Sequence, residues 1–342
     1  MTYEQTINQI HVDKQDSKQN KNKILLTDIN VFMTNSNSKK ENDKFNKKRE
    51  YIIGCIINNE IPEQYYIEST EWDDLKNEIN LYIKILAQKK GIVDVYNVKC
   101  DIKGGRKYSY DFDIYINNVE FKVEFKFGAS CVNNCPQFSS PMKPSKYLSI
   151  EFESWFYCNY FYKIANFGGL KLPSIDIYCK TVHSPDVKCI KEYKYKYDND
   201  IKFNKYCKDI DKEAIKDFII NTADLDTKNL SKYLVETQKD KHYMLYHNGK
   251  ISYDTVNEDM YKISKVVKKE PTNYICEAEN GMKIEIKLRF KNGCGLQYPA
   301  FQISRKIPTK KELEKICNKH NINPPKLKND ILSILDENSI IY

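Results

Sequence analysis

The sequence predicts an α/β chain of the α+β kind, with a long helix and a three-strand meander first and β-hairpins later. Three observations carry this. Apolar residues recur at helical spacing from Trp72 to Leu86. The period then switches to two across residues 92–127. Two Asn-Gly dipeptides, at 248–249 and 280–281, sit between alternating segments as hairpin turns do.

Residues 12–50 are crowded with Lys, Asn, Asp, Gln and Ser, interrupted only by the apolar ILLTDINVFM. This composition predicts a polar, partly disordered segment 1–50 with one small element docking on the body. The helix over about 71–90 is capped in expectation by Thr70, with Asp73 in the capping-box position, and ended by Gly91. IVDVYNVKCDI reads as the first strand, Gly104-Gly105 as a turn and KYSYDFDIYI as the second strand. Asn117-Asn118 reads as a tight turn and VEFKVEFKF as the third strand. Residues 128–147 read as a long loop, LSIEFESWFYCNYFYKIANF as a buried aromatic helix and PSIDIYCK as a strand. Residues 185–232 are rich in lysine and mainly helical in pattern. HYMLYHNGKISY and NYICEAENGMKIEIKLRF then read as hairpins, YPAFQIS as a further strand, and KKELEKICNKHN and KNDILSILDEN as terminal helices. The expected organisation is 1–50, a core with a helical insertion at 51–230, and a β-rich part at 231–342. The last border is soft enough for one shared domain.

The chain has 342 residues, 41% hydrophobic and 30% charged, which places it among globular proteins. Its apolar runs fall well short of the ~20 residues of a membrane span. The polar first residues carry no secretory pattern, and an odd count of 11 cysteines fits reduced thiols, so an intracellular protein is expected. A net charge of +8 permits a polyanionic partner without requiring one. No P-loop lysine motif and no dinucleotide-type glycine run occurs, so nothing points to NTP hydrolysis or redox cofactors.

The chemistry concentrates in YDFDIYINNVEFKVEFKFG, residues 110–128. With Asn117-Asn118 as a two-residue turn, Ile116 pairs with Val119, Asp113 falls opposite Lys122, and Asp111 opposite Glu124. Phe112, Ile114, Ile116, Val119, Phe121, Val123, Phe125 and Phe127 then point to a core, and Asp111, Asp113, Glu124 and Lys126 share the other face. Carboxylates directly opposite each other repel. A divalent cation relieves this, and Mg²⁺ is commonly held by one or two carboxylates plus waters and a phosphate. A lysine two residues after Glu124 projects into the same space, where it can orient or deprotonate a water or stabilise charge on a phosphate. The plainer reading is a solvent-facing hairpin neutralised by Lys122 and Lys126. A two-residue turn selects Asp111 as the ligand and a bulge brings Asp113 forward, so both stay open.

A helix followed by a three-strand meander, with Asp on the second strand and Glu-x-Lys on the third, resembles the PD-(D/E)XK nuclease superfamily, which includes many restriction endonucleases. The resemblance spans about residues 70–180. It implies a restriction-endonuclease-like core, a mixed central sheet flanked by helices. In that core Asp111 or Asp113 with Glu124 would bind Mg²⁺, with Mn²⁺ able to substitute, and Lys126 would be the active-site lysine. Glu78 would match the acidic residue many members carry on the preceding helix, and Gln137 in CPQFSSP the glutamine some place beyond the lysine strand. No Pro precedes either aspartate, so the first letter of the motif is missing. VEFKFGAS, PQFSSPMKPSKYL, KHYMLYHNGKI and IKLRFKNGCGLQYPAFQISRK look like segments of restriction-endonuclease-like proteins of DNA viruses and phages.

The implied function is a Mg²⁺-dependent DNA endonuclease of restriction type that hydrolyses phosphodiester bonds with a metal-activated water. Two-strand cutting implies a homodimer. A restriction role implies a cognate DNA methyltransferase in the same genome, and a viral member would work in the cytoplasm or nucleus of its host. The alternatives are a nuclease acting on RNA or on single-stranded or branched DNA, and a catalytically inactive nucleic-acid-binding protein of the same fold.

Two rival constellations remain. Glu285 and Lys287 form a second Glu-x-Lys with no aspartate at hairpin distance before it. The surrounding Arg289, Lys291, Asn292, Gln297, Gln302 and Arg305 are candidate contacts to phosphates or base edges. Cys131 with Cys135, and Cys179 with His183, are spaced more loosely than a structural zinc knuckle.

Overall fold

The computed structural model describes residues 24–34, 39–103, 108–132, 137–138, 143–183, 188–290, 296, 298–323, 331, 335 and 341–342. The chain divides into two compact units. The first comprises Met1–Ile102, Phe112–Gly128 and Met244–Tyr253, and the second Lys103–Asp111, Ala129–Tyr243 and Asp254–Tyr342. The architecture is mixed α/β: a five-strand mixed sheet with helices, and a second, antiparallel five-strand sheet. No helix among the described residues is long and apolar enough to cross a membrane.

The first described element of the first unit is a 3-10 helix, Leu26–Phe32, whose Ile29 and Phe32 are buried, as a docking element requires. Helix α1, Lys39–Ile57, follows. Arg49, Ile52, Ile53 and Ile56 fall at i, i+3, i+4 and i+7, and Gly54, Cys55 and Ile57 are buried as well, so the last turns of the helix are buried all round. The border expected at residue 50 therefore runs through the middle of a helix. After the short α2, Glu63–Glu68, helix α3 spans Thr70–Lys89 and buries Trp72, Leu75, Ile79, Tyr82, Ile83 and Leu86. Its cap is Ser69, not Thr70: the Ser69 Oγ accepts from the Trp72 N–H at 3.4 Å. The Trp72 indole donates to the Leu26 carbonyl at 2.8 Å and ties the 3-10 helix to α3.

Strands β1, Val98–Ile102, β2, Phe112–Ile116, and β3, Val119–Phe127, form an antiparallel meander. The first strand is shorter than the sequence pattern suggests, since residues 92–97 are not in the sheet. Gly104-Gly105 lies outside the described residues. Asn117 and Asn118 both take positive φ, 51° and 69°, which a two-residue hairpin turn needs and Asn tolerates. The register follows: Ile116 pairs with Val119 and Asp113 with Lys122. Phe112, Ile114, Ile116, Phe121, Val123 and Phe125 join α1 and α3 in one core, while Val119 is partly exposed. Strands β5, Lys241–His247, and β6, Lys250–Thr255, complete the sheet in the order β1-β2-β3-β5-β6, joined through Asn248-Gly249, both at positive φ.

The second unit carries the two-residue strand β4, Gln137–Phe138, and most of the helices. Helices α4, Phe152–Phe156, and α5, Tyr162–Gly168, are joined through a π-helical turn at Tyr157–Phe161. PSIDIYCK is not a strand. Ile175–Thr181 is helix α6, capped by Ser174, whose Oγ accepts from the Ile177 N–H. Tyr178 and Val182, four apart, are buried, whereas Ile177 is half-exposed, so helical rather than alternating burial wins. Helices α7, Lys188–Asn199, α8, Ile201–Asp217, and α9, Thr227–Gln238, make up the lysine-rich stretch. Strands β7, Ile263–Glu270, β8, Asn273–Ala278, β9, Lys283–Phe290, and β10, Pro299–Arg305, give the order β4-β10-β9-β8-β7, and helix α10, Lys310–His320, follows.

Candidate active site

The charged face of the meander lies in the first unit. Asp113 sits in the middle of β2, between Asp101 on β1 and Lys122 on β3. It is 4% exposed, so this carboxylate is buried rather than displayed to solvent. Glu124 is two residues along β3 from Lys122, on the same face and one diagonal step from Asp113, a separation long side chains can span. The Lys126 Nζ donates to the Glu124 Oε1 at 2.5 Å, with both side chains largely shielded. Charge-assisted bonds of this kind are the strong ones.

The sequence reading missed Glu50 on α1. Its carboxyl is pushed up to about 7, first by burial and then by the negative charge of Glu124, with Lys126 and Lys47 pulling the other way. Two carboxylates thus compete within reach of one lysine. The available signal was the entry of Arg49-Glu50 into an apolar stripe of helical period, Ile52, Ile53 and Ile56. Arg49 anchors this part of α1. It is fully buried and donates to the Val31 carbonyl at 2.7 Å, the Thr34 carbonyl at 2.9 Å and the Asn46 Oδ1 at 2.6 Å. Its guanidinium lies 3.4 Å from the centre of the Phe127 ring, at the end of the strand that bears Glu124 and Lys126.

The remaining expected residues lie on other elements. Glu78, on α3, is engaged with β6: it accepts from the Lys250 Nζ at 2.7 Å and from the Ile251 N–H at 2.9 Å. Asp111 precedes β2, one residue before the Phe112–Val123 pair, so the unbulged two-residue turn is the register that selects it as a ligand; it groups with the second unit, whereas Asp113 and Glu124 lie together in the first. The Asp111 carbonyl accepts from the Lys103 N–H at 2.7 Å. Gln137 belongs to β4 of the second sheet, opposite Ile303 of β10. No family model matches this chain, and no curated protein or solved structure matches it either.

The donor set can be tested against Mg²⁺. Asp113 and Glu124 offer hard carboxylate oxygens, and the crowding of Glu50 by Glu124 is a repulsion that a divalent cation would relieve. Among the described residues no three His, Cys, Asp or Glu side chains gather into a metal-holding group. Two carboxylates are what Mg²⁺ commonly takes from protein, with waters and phosphate supplying the rest, so the residues present fit.

Several of the rival residues have partners within the second sheet. Glu285 faces Ile275 and Ser304 across the sheet, with no acid opposite, and accepts from the Asn273 amide at 2.6 Å. Arg289 donates to Gln302 at 3.0 Å. Arg305 is 3% exposed and offers no surface guanidinium to a nucleic acid. Lys291, Asn292 and Gln297 lie outside the described residues, as does Cys135. The His183 ring is paired with Glu153, which also accepts from the Ser145 hydroxyl, so this histidine belongs to a polar network.

Proposed function

We propose that the chain is a Mg²⁺-dependent DNA endonuclease of restriction type, built on a restriction-endonuclease-like core. The observation that carries this reading is the shielded Glu124–Lys126 ion pair on β3, with the buried Asp113 a diagonal step away on β2. Asp113 and Glu124 would hold the metal. When bound, Mg²⁺ supplies a lowered water pKa and stabilises the charge that develops on the phosphoryl oxygens.

The chain's own residues do the rest. Lys126 places an ammonium beside the Glu124 carboxylate, where it orients the attacking water and offsets negative charge on the phosphate. Glu50 is held up to about 7 in the metal-free site by burial and by the Glu124 charge, so a cation held at Glu124 would favour its ionised form beside the pair. Arg49 holds α1 against the Phe127 end of β3, which keeps Glu50 near the pair. Cutting both strands calls for two such sites, hence a homodimer, and a restriction role calls for a cognate methyltransferase.

The test is to incubate the full chain with plasmid, genomic DNA, single-stranded DNA and RNA, each with Mg²⁺ or EDTA. Discrete duplex fragments with 5′-phosphate ends, formed only with Mg²⁺, are expected. Cleavage of RNA or single strands alone would replace the substrate class, and intact nucleic acid in every Mg²⁺ lane would sink the enzymatic reading.

A further inference from the structure

The second unit holds a cavity of about 390 Å³ between its β-sheet and helix α10, a size typical of small-ligand sites. Five lysines line it: Lys268, Lys283, Lys306, Lys311 and Lys315. Among the described lining residues two glutamates, Glu270 and Glu312, stand against them, and both are already engaged. Glu312 accepts from the Thr309 N–H at 2.8 Å and the Thr309 hydroxyl at 2.6 Å in a capping box. Glu270 accepts from Lys268 at 3.0 Å and lies 3.7 Å from the Lys306 ammonium. Lys283 sits 4.4 Å from the centre of the Tyr342 ring.

Lys311 and Lys315 remain. They lie four residues apart on one face of α10, both exposed, with no ion pair among the described residues. Ammonium groups that converge on one concavity repel each other, and the lining supplies too little negative charge to offset them. A dense anion removes that repulsion. Phosphate suits it best, because each group presents several acceptor oxygens and lysine binds phosphate as a point charge.

We propose that this cavity binds linked phosphate groups, with Lys311 and Lys315 as its principal contacts. The site is separate from Glu124 and Lys126 in sequence and in unit, and it stands whether or not the chain cuts nucleic acid. The phosphates can come from a free polyphosphate or from a nucleic-acid backbone, and the two sources are separable.

The experiment uses the full chain and its Lys311→Gln/Lys315→Gln variant in EDTA, so that no cleavage intrudes. Inorganic tripolyphosphate is titrated calorimetrically, and a short DNA duplex is titrated by anisotropy over a range of salt. Tripolyphosphate should bind the wild type and lose roughly tenfold or more in affinity in the variant. A duplex salt slope that falls by about 2 in the variant would identify the nucleic-acid backbone as the source. An unchanged slope, with tripolyphosphate binding lost, would identify a free polyphosphate. Failure of tripolyphosphate to bind the wild type, or equal binding to both proteins, overturns the proposal. Both positions are on the surface, so the variant should melt with the wild type. If it does not, Lys315→Gln alone, beyond the capping box, carries the same comparison.

Discussion

At the scale of single residues, the site turns on how two glutamates share one lysine. Burial and the Glu124 charge raise Glu50 from its ordinary 4.5 to about 7. A raised carboxyl favours the protonated form in the fold. Its stabilising share is fully present below pH 4.5 and is lost as pH rises through about 7. Metal-free wild type should therefore lose stability between about pH 5 and pH 8, by at most about 3 kcal/mol from this group. Glu50→Gln mimics the protonated form and should flatten that loss, which denaturant titrations at the two pH values would measure. The helix acids can also be told apart by activity. Glu78→Gln should weaken the hold of α3 on β6 yet leave cleavage within about threefold, whereas Glu50→Gln should slow it by tenfold or more. Equal losses in both variants would refute this division of roles. Asp111, Asp113, Glu124 and Lys126 were legible as one face because a strand of period two announces which residues share it, but that period does not choose between the two aspartates. Glu50 was not, because its neighbours are reached through tertiary packing of α1 and no local period encodes that.

At the scale of elements, two close approaches decide how helices sit. Arg49 satisfies two backbone carbonyls and the Asn46 side chain from within the core of the first unit. Arg49→Ala would orphan those acceptors and remove the stacking on Phe127, costing about 3 kcal/mol in a chemical denaturation series. In the second unit, a Cβ on Gly168 would lie 2.7 Å from a ring carbon of the fully buried Phe203 on α8. Gly168→Ala should therefore destabilise by roughly 1–3 kcal/mol despite alanine's better helix propensity. A melting temperature at or above that of the wild type would contradict the tight contact. The long helix α3, the Asn-Asn turn and the Asn-Gly hairpins followed from sequence because capping, periodicity and turn chemistry are local. α1 was hidden, since its outer face is as polar as a disordered tail. α6 was misread, since a short apolar run carries too few residues to distinguish alternating from helical burial until Tyr178 finds its aromatic neighbours Phe156 and Phe161.

At the scale of the whole molecule, each unit is assembled from separate stretches of chain. The meander and the β5–β6 hairpin, more than a hundred residues apart, meet in one sheet. No continuous segment of the sequence could display this division, because it is set by long-range strand pairing. Metal binding should register on the folded protein as a whole. At about a hundred times its Kd, Mg²⁺ should add about 2.7 kcal/mol to the stability of the wild type and little to Glu124→Gln. A thermal shift of equal size in both would remove Glu124 from the binding site. The most direct measurement is the rate of plasmid cleavage with Mg²⁺ by the wild type and by Lys126→Ala, matched in melting temperature. The expected result is cutting by the wild type and a loss of at least about a hundredfold in the variant. Cutting by Lys126→Ala at the wild-type rate, or no cutting by either protein, would contradict a nuclease centred on Asp113, Glu124 and Lys126.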